Sequence, residues 1–399
     1  MRRTVGAAKT SRSRRGPTGV AFVGVGYVAD LYLATFRNWR ERLALKGVFD
    51  TSPERQRAFC SHYGVGSYDK LEDMLADPDV EIVVNLTPPD QHYRVNRTAL
   101  AAGKHVYSEK PLTLDLPEAR CLVAQAETNG LHIVCAPSSV LGEAAQTLFT
   151  AVRDEVRGRP RLVYAEIDEG LLHRSAYRDW VSGAGAVWPA KNEFQTGCTL
   201  EHAGYAISWL VAMFGPVRRI VSSAHCLISD KGPDTPLDYC TPDFTCACLE
   251  FDGGVVARLT NSILAPHDHR FRVFCEDGSL EVAEIWDFHA PVRSIPVPNV
   301  RGLRGRAQKF LGLDGGKTLR PVHRRSIATA KQGFPMDFAL GIAEMAEAIR
   351  SGKRPRLAGE FSLHITEVAL AIQHPERFGT EYRPESAPEQ FDRMEWLPR

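Results

Sequence analysis

Residues 18–29 read TGVAFVGVGYVA, and this stretch decides the fold. A short apolar strand over Thr18 to Val23 runs directly into a turn with glycines at positions 24 and 26 and a small residue at position 29. Such a turn between a strand and a helix lets the backbone approach a pyrophosphate, and the helix N-terminus faces the anion. The pattern predicts dinucleotide contacts from Gly24, Gly26, Tyr27, Val28 and Ala29.

The second predicted strand, Ala44 to Phe49, ends in an acid, Asp50. An acid at this position accepts hydrogen bonds from both hydroxyls of an adenosine ribose and repels a 2′-phosphate, which favours NAD over NADP. Arg55 is close enough in sequence to pair with such a phosphate, so NADP stays open as the second choice. Asp50 also precedes Pro53, where it would cap a helix, and the two roles are compatible.

Strands and helices alternate with short links up to about residue 140, as in a doubly wound parallel sheet. The apolar run at 80–86 predicts a strand buried on both faces. Beyond residue 140, alternating strands and turns such as Asp252-Gly253-Gly254 are typical of an antiparallel sheet. We predict an α/β chain with a Rossmann domain at 17–140 and an α+β domain with a large, mainly antiparallel sheet at 141–399.

The composition is that of an ordinary globular chain, with 399 residues and a formal net charge of +1. This charge argues against a nucleic-acid partner, and no apolar run reaches the roughly 18 residues of a membrane span. Residues 1–16 are basic and lack the apolar core of a secretory signal, so we expect a disordered leader and a cytoplasmic protein, with a transit peptide as the second choice. The nine cysteines form no Cys-x-x-Cys pair and are expected to be free thiols.

Residues 103–111 read GKHVYSEKP and place a lysine at the carboxyl end of a predicted strand. Open α/β sheets bind their ligands at this edge, and Pro111 biases Lys110 toward an extended backbone. Lys110 is therefore a candidate catalytic group. Taken alone, a lysine in such a place is more often a solvated loop residue.

Four motifs, in this order and spacing, resemble the Gfo/Idh/MocA family of NAD(P)-dependent sugar and polyol oxidoreductases. They are the turn at 24–29, Thr87-Pro88-Pro89 with His92, the stretch at 103–106, and Glu109-Lys110-Pro111. The resemblance implies a nicotinamide between two domains, close to Lys110, with further cofactor contacts from Thr87, Pro88, His92, Glu109 and Lys110 itself. It also implies a homo-oligomer, a dimer or tetramer, formed through the open sheet of the second domain.

The family's second signature is a glycine-rich turn followed by an acid and a histidine four residues apart on one helix. The matching stretch at 197–209 reads GCTLEHAGYAISW, which puts Glu201 at the acid and Tyr205 in place of the histidine. Residues four apart share a helix face, and a neighbouring ammonium lowers the pKa of a tyrosine. We predict that Tyr205 takes the substrate proton while Lys110 stabilises the charge on the same oxygen. His202 is the proton carrier if the helix is rotated.

These residues predict an NAD-dependent oxidoreductase that transfers hydride between a nicotinamide and a hydroxyl or keto group of a sugar, polyol or sugar derivative. The alternatives are an NAD-retaining lyase, epimerase or glycosidase of the same fold, and a non-catalytic cofactor-sensing regulator. The candidates for substrate contacts, in a long irregular segment, are His173, Trp180 and Trp188, which could also form a packed loop over the cleft. His267-Asp268-His269 invites a metal interpretation, but no third ligand has metal-site spacing, and no metal is expected.

Overall fold

The computed structural model describes residues 16–235, 239–297, 315–322 and 335–394. The predicted leader lies outside these residues, apart from Gly16. Within them, the strands form two sheets, one of five strands and one of nine. We call the part built on the first sheet the N-terminal domain and the part built on the second sheet the C-terminal domain.

The first sheet is parallel and has the order β2-β1-β3-β4-β5 within the described chain. Its strands are β1 (Thr18–Val23), β2 (Leu43–Phe49), β3 (Ile82–Asn85), β4 (His105–Ser108) and β5 (Ile133–Cys135). The helices that connect them are α1 (Tyr27–Phe36), α2 (Pro53–Tyr63), α3 (Leu71–Ala76), α4 (His92–Ala101) and α5 (Leu116–Thr128). Every residue of β1 and β3 is buried, as expected for strands covered on both faces. The strand order reverses at β1, so the ligand crevice of such a sheet lies at its carboxyl end.

The second sheet has the order β13-β12-β11-β10-β6-β9-β8-β7-β14 among the described residues, and only β6 and β9 run parallel. Its strands are β6 (Pro160–Asp168), β7 (Val217–His225), β8 (Phe244–Phe251), β9 (Val256–Ser262), β10 (Phe271–Cys275), β11 (Gly278–Val282), β12 (Arg293–Pro296), β13 (Lys317–Thr318) and β14 (Glu381–Tyr382). Alternate residues of β8 are buried, so this strand presents one face to the core and leaves the other open. The predicted Rossmann domain and mainly antiparallel second sheet are confirmed.

The remaining helices pack around the two sheets. They are α6 (Glu143–Arg153), α7 (Ala190–Thr196), α8 (Gly204–Phe214), α9 (Leu340–Arg350), α10 (Glu360–Gln373) and α11 (Pro375–Phe378). Helix α10 reaches both domains. Near its start, the Ser362 hydroxyl accepts a hydrogen bond from the backbone N–H of Cys135 at 2.9 Å. At its end, Gln373 accepts a hydrogen bond from the backbone N–H of Leu200 at 3.1 Å.

The cysteines and the helix lengths bear on two expectations drawn from the sequence. All nine cysteines are unpaired, as expected. Burial raises the pKa of the Cys198 thiol to about 12, so this group stays protonated. Among the described helices, none combines the length and the apolar character needed to cross a bilayer.

Candidate active site

A cleft of about 1210 Å³ is lined by residues of both domains. Its lining brings together most of the predicted site residues: Gly24, Gly26, Tyr27, Val28, Asp50, Arg55, Thr87, Pro88, His92, Glu109, Lys110, Trp180, Trp188, Glu201, His202 and Tyr205. Ala29 is fully buried on α1 and does not reach the cleft. The residues predicted to hold the cofactor and those predicted to perform the chemistry therefore share one cleft.

The turn at Gly24 and Gly26 fits a dinucleotide. Gly24 has a φ of +89°, and a Cβ there would lie 2.8 Å from the carbonyl oxygen of Leu86, so only glycine is accommodated. A Cβ at Gly26 would meet no protein atom within 4 Å, so this glycine leaves space in front of the first turn of α1. An open approach to a helix N-terminus suits a pyrophosphate, and the residues present fit NAD.

Asp50 lies at the end of β2, where its carboxylate already accepts four hydrogen bonds. The backbone N–H groups of Val25 and Ser52 donate at 2.9 and 2.8 Å, and Arg55 donates twice, at 3.0 and 2.9 Å. Burial opposes ionisation of Asp50, but these bonds, led by the one from Arg55, lower its pKa overall. Asp50 does not cap α2, because the N-cap is Ser52, whose side chain accepts from the N–H of Arg55. A ribose must therefore displace or share the half-exposed Arg55 to reach the carboxylate.

We predict that Asp50→Ala weakens NAD binding about 10- to 100-fold, because it removes charge-assisted hydrogen bonds to the ribose. NADP binding should weaken less or improve, since Arg55 is then released to meet a 2′-phosphate. Calorimetric titration of both cofactors measures the ratio. Glu127→Ala, at an exposed acid of α5 outside the cleft, is the matched control. An unchanged NAD/NADP ratio in Asp50→Ala would contradict the role of Asp50.

Glu109 and His92, both in the N-terminal domain, hold the corner that carries Lys110. Glu109 is buried and accepts hydrogen bonds from the Tyr32 hydroxyl at 2.6 Å and from the Lys110 N–H at 2.9 Å. The His92 ring is fully buried between the carbonyl oxygens of Pro111, at 2.6 Å, and Thr87, at 2.8 Å. Burial lowers the pKa of His92, and a neutral ring donates only one of these two bonds. Both residues position the corner as well as lining the cleft.

The Lys110 ammonium forms an ion pair with Glu201 across the cleft. Burial disfavours the charged amine, but the neighbouring carboxylates, led by Glu201, outweigh it and raise the pKa of Lys110 well above its ordinary value. Lys110 is therefore a permanent cation at neutral pH. It can donate hydrogen bonds to a substrate oxygen but cannot act as a base.

The sequence predicts Glu201 and Tyr205 on one regular helix, but in the structure only Tyr205 lies on α8. Thr199–Ala203 forms a π-helical turn, and α8 begins only at Gly204. Glu201, His202 and Tyr205 all line the cleft. Helix register therefore does not decide whether His202 or Tyr205 is the proton carrier. Single π-helical turns are frequent at functional sites.

The two candidate proton carriers differ in their surroundings. Burial raises the pKa of Tyr205 far above its ordinary value, and the opposing effect of Lys110 is smaller. The expected lowering by the ammonium is thus present but does not dominate. Burial lowers the pKa of His202, and its Nδ1 atom is buried with no hydrogen-bond partner among the described residues. At neutral pH, the phenol is therefore protonated and the imidazole is neutral.

Sequence reasoning missed Glu193, a cleft residue at α7. Burial, together with the charge of Glu201 and a hydrogen bond with it, raises the pKa of Glu193 well above its ordinary value. The shift favours the neutral acid form of Glu193, which completes a row with Glu201 and Lys110. Its position in an irregular aromatic segment gave no motif by which to find it.

We predict that Glu193→Gln becomes increasingly stable relative to the wild type as pH rises from about 4.5 toward neutral. In the wild type, the pKa of Glu193 is higher in the folded state than in the unfolded state. The contribution of Glu193 to stability is therefore complete below the unfolded-state pKa and is lost as pH rises toward the folded-state pKa. A glutamine does not titrate and avoids this loss, which amounts to about 1.4 kcal/mol for each pH unit between the two pKa values. Thermal denaturation across this pH range measures the difference. The exposed Glu389→Gln should show no such trend, and an equal trend in both variants would contradict the assignment.

The aromatic segment reaches the cleft only in part. Trp180 and Trp188 line the cleft with their rings 5.3 Å apart. Trp188 also packs against Tyr177, at 5.5 Å, so it belongs to a packed cluster as well. His173 does not line the cleft, and its pKa is lowered by burial and by the charge of Lys231. The two tryptophans therefore lie where a substrate could reach them, whereas His173 lies outside the cleft lining.

Two further cleft residues, Glu169 and Trp286, carry no sequence motif. The Trp286 ring packs against Tyr205 at 4.9 Å and against His269 at 4.4 Å. Glu169 follows directly after β6, and its only sequence signal is its place at the end of a strand. The contact of Trp286 with both rings connects the proposed proton carrier to a histidine beside the cleft.

Family comparisons agree with this geometry. Residues 18–136 match the oxidoreductase family with an NAD-binding Rossmann fold, and residues 145–281 match the GFO/IDH/MocA C-terminal domain. The chain therefore belongs to the Gfo/Idh/MocA oxidoreductase family, whose N-terminal domain binds NAD.

The relatives include enzymes with different substrates. The chain is 26% identical over 220 residues to mouse trans-1,2-dihydrobenzene-1,2-diol dehydrogenase, a match covering 55% of this chain and 60% of that enzyme. It shares its fold with aldose-aldose oxidoreductase from Caulobacter crescentus, at a TM-score of 0.70 and 19% identity over 92% of this chain and all of that one (100%). The WlbA dehydrogenase from Bordetella pertussis, solved with NADH and UDP-GlcNAcA, gives a TM-score of 0.67 and 18% identity over 92% of this chain and 98% of that one.

Proposed function

We propose that the protein is an NAD-dependent dehydrogenase or reductase that acts on a CH–OH or keto group of a sugar, polyol or sugar derivative. The observation that carries this proposal is the Lys110–Glu201 ion pair in the same cleft as the glycine turn and Asp50. The names of the Caulobacter and Bordetella proteins, an aldose oxidoreductase and a dehydrogenase solved with a nucleotide sugar, support the substrate class. The predicted homo-oligomer and the domain limits at 17–140 and 141–399 stay predictions.

In the proposed reaction, each residue has a task set by its surroundings. The bound nicotinamide supplies hydride transfer. Lys110 donates a hydrogen bond to the reacting oxygen and stabilises its negative charge. Tyr205 exchanges a proton with the same oxygen, and its phenol is already protonated for the reductive direction. In the oxidative direction the positive charge of Lys110 favours the phenolate.

Lys110→Ala should reduce turnover by at least about 100-fold, because the oxygen loses its charged donor. NAD affinity should change little, since Lys110 lies at the reacting end of the cleft. The assay screens sugars and polyols with NAD and NADP and follows the absorbance of the reduced cofactor. Lys191→Ala, at an exposed lysine of α7 outside the cleft, is the control. Unchanged turnover in Lys110→Ala would remove the lysine from the mechanism, and conversion of a sugar without reduction of added NAD would favour the NAD-retaining alternative.

Tyr205→Phe should lower kcat by about 10²- to 10⁴-fold, the usual cost of losing a general acid or base. His202→Ala should lower kcat far less. Steady-state kinetics on the best substrate of the screen measure both, and Tyr164→Phe, in β6 of the second sheet and outside the cleft, is the control. The reverse order of the two effects would make His202, with its neutral ring and unpartnered Nδ1, the proton carrier.

A further inference from the structure

Four side chains meet beside the cleft and take no part in the proposed reaction. They are Glu169 after β6, His267 and His269 before β10, and Glu284 after β11. His269 Nε2 lies 3.0 Å from Glu169 Oε1, and His269 Nδ1 lies 2.9 Å from Glu284 Oε1. The second oxygen of Glu284 lies 2.9 Å from His267 Nε2. One carboxylate thus contacts both imidazoles, and a second carboxylate faces the buried ring.

Backbone pairing holds these side chains in place. Asp168 directly precedes Glu169, and Asp268 lies between the two histidines. The backbones of these two aspartates exchange two N–H···O bonds at 3.0 Å each. Beside them, the N–H of Ile285 donates to the carbonyl oxygen of His269 at 3.2 Å. The two histidine rings lie 4.2 Å apart, centroid to centroid. Three separate segments are therefore tied together before any ligand arrives.

A neutral His269 ring cannot donate a hydrogen bond to both of the carboxylates that it contacts. A neutral imidazole has one N–H and one lone pair, yet each ring nitrogen of His269 faces a carboxylate oxygen. When Nδ1–H donates to Glu284, the lone pair of Nε2 points at Glu169. Two facing acceptors repel each other unless a cation lies between them. That cation is either a proton or a metal ion.

The donor set is one that transition metals prefer. Donor atoms of Glu169, His267 and His269 all lie within 4.8 Å of one another. Two imidazoles and one carboxylate form a known three-ligand set for Zn²⁺, with the fourth position open to water or substrate. Glu284 contacts both rings and has the position of an outer carboxylate that orients ligating histidines. The third donor is Glu169, which lies about a hundred residues earlier in the chain. The spacing around His267-Asp268-His269 therefore does not reveal it.

We propose that Glu169, His267 and His269 form a binding site for a divalent transition-metal cation, with Zn²⁺ as the best fit, and that Glu284 orients the two histidine rings. The ion takes the place between Nε2 of His269 and the carboxylate of Glu169, and any proton held there leaves to solvent. No oxidation or reduction is involved. The site borders the cleft, because Glu169 and Trp286 line that cleft and Trp286 packs on His269. Metal binding is separate from the dehydrogenase proposal and requires no turnover.

The test is calorimetric titration of the chelator-treated full chain with ZnCl₂. We expect one site per chain, with binding weakened at least 100-fold in His267→Ala. His267 is 57% exposed, so this variant leaves the core intact. His269→Gln should also lose binding, and Glu284→Gln should lose about 10- to 100-fold in affinity, as usual for an outer carboxylate. The control is His225→Ala, at a histidine of β7 outside the cluster.

Exposed thiols are the competing zinc ligands in this chain, at Cys121, Cys240 and Cys248. Titration with Co²⁺ separates the two cases, because thiolate ligands add intense near-ultraviolet charge-transfer bands that nitrogen and oxygen ligands lack. We expect visible absorption from a four-coordinate ion without those bands, and its loss in His267→Ala. No stoichiometric binding, binding with thiolate bands only, or equal binding by wild type, His267→Ala and His269→Gln would overturn the proposal.

Discussion

The ion pair between Lys110 and Glu201 is the interaction on which the candidate site depends. It connects the end of β4 in the N-terminal domain to the π-helical turn before α8 in the C-terminal domain. The Glu201 side chain is almost completely buried, and breaking a buried pair by removing one partner costs about 3–5 kcal/mol. The pair therefore couples the position of the lysine to the relative placement of the two domains.

Each half of this pair is supported by its own domain. On the N-terminal side, Glu109 binds Tyr32 of α1, so the corner is tied to the helix whose first turn faces the cofactor. On the C-terminal side, the turn before Glu201 begins at Gly197, which has a φ of +93° and where a Cβ would lie 2.6 Å from Thr241. Gln373 of α10 then accepts the N–H of Leu200 and fixes the start of the π-helical turn. The last long helix of the chain thus sets the position of Glu201.

The sequence predicted the parts of this arrangement that depend on local patterns. The strand and turn at 18–29, the acid Asp50 and the Lys110 corner each follow from residue types at short spacing, and the structure places the turn, Asp50 and Lys110 in one cleft. The π-helical turn was not predicted, because a single turn is too short to show a periodicity of its own. Glu193 and the partnership of Glu169 with His269 were missed for a different reason. They depend on contacts between segments that only the folded chain brings together.

The acid that the sequence did not reveal gives the proposed lysine chemistry its physical basis. Lys110 is already paired with Glu201, so in the proposed reaction its ammonium must divide its hydrogen bonds between Glu201 and the substrate oxygen. The buried carboxylate of Glu201 would then lose part of its hydrogen bonding to Lys110. This loss would destabilise the carboxylate unless another donor remained. Glu193 can be that donor, because its raised pKa favours the protonated form and its hydrogen bond goes to Glu201. The row of acid, carboxylate and ammonium thus allows Lys110 to engage the substrate while Glu201 remains solvated by the protein itself.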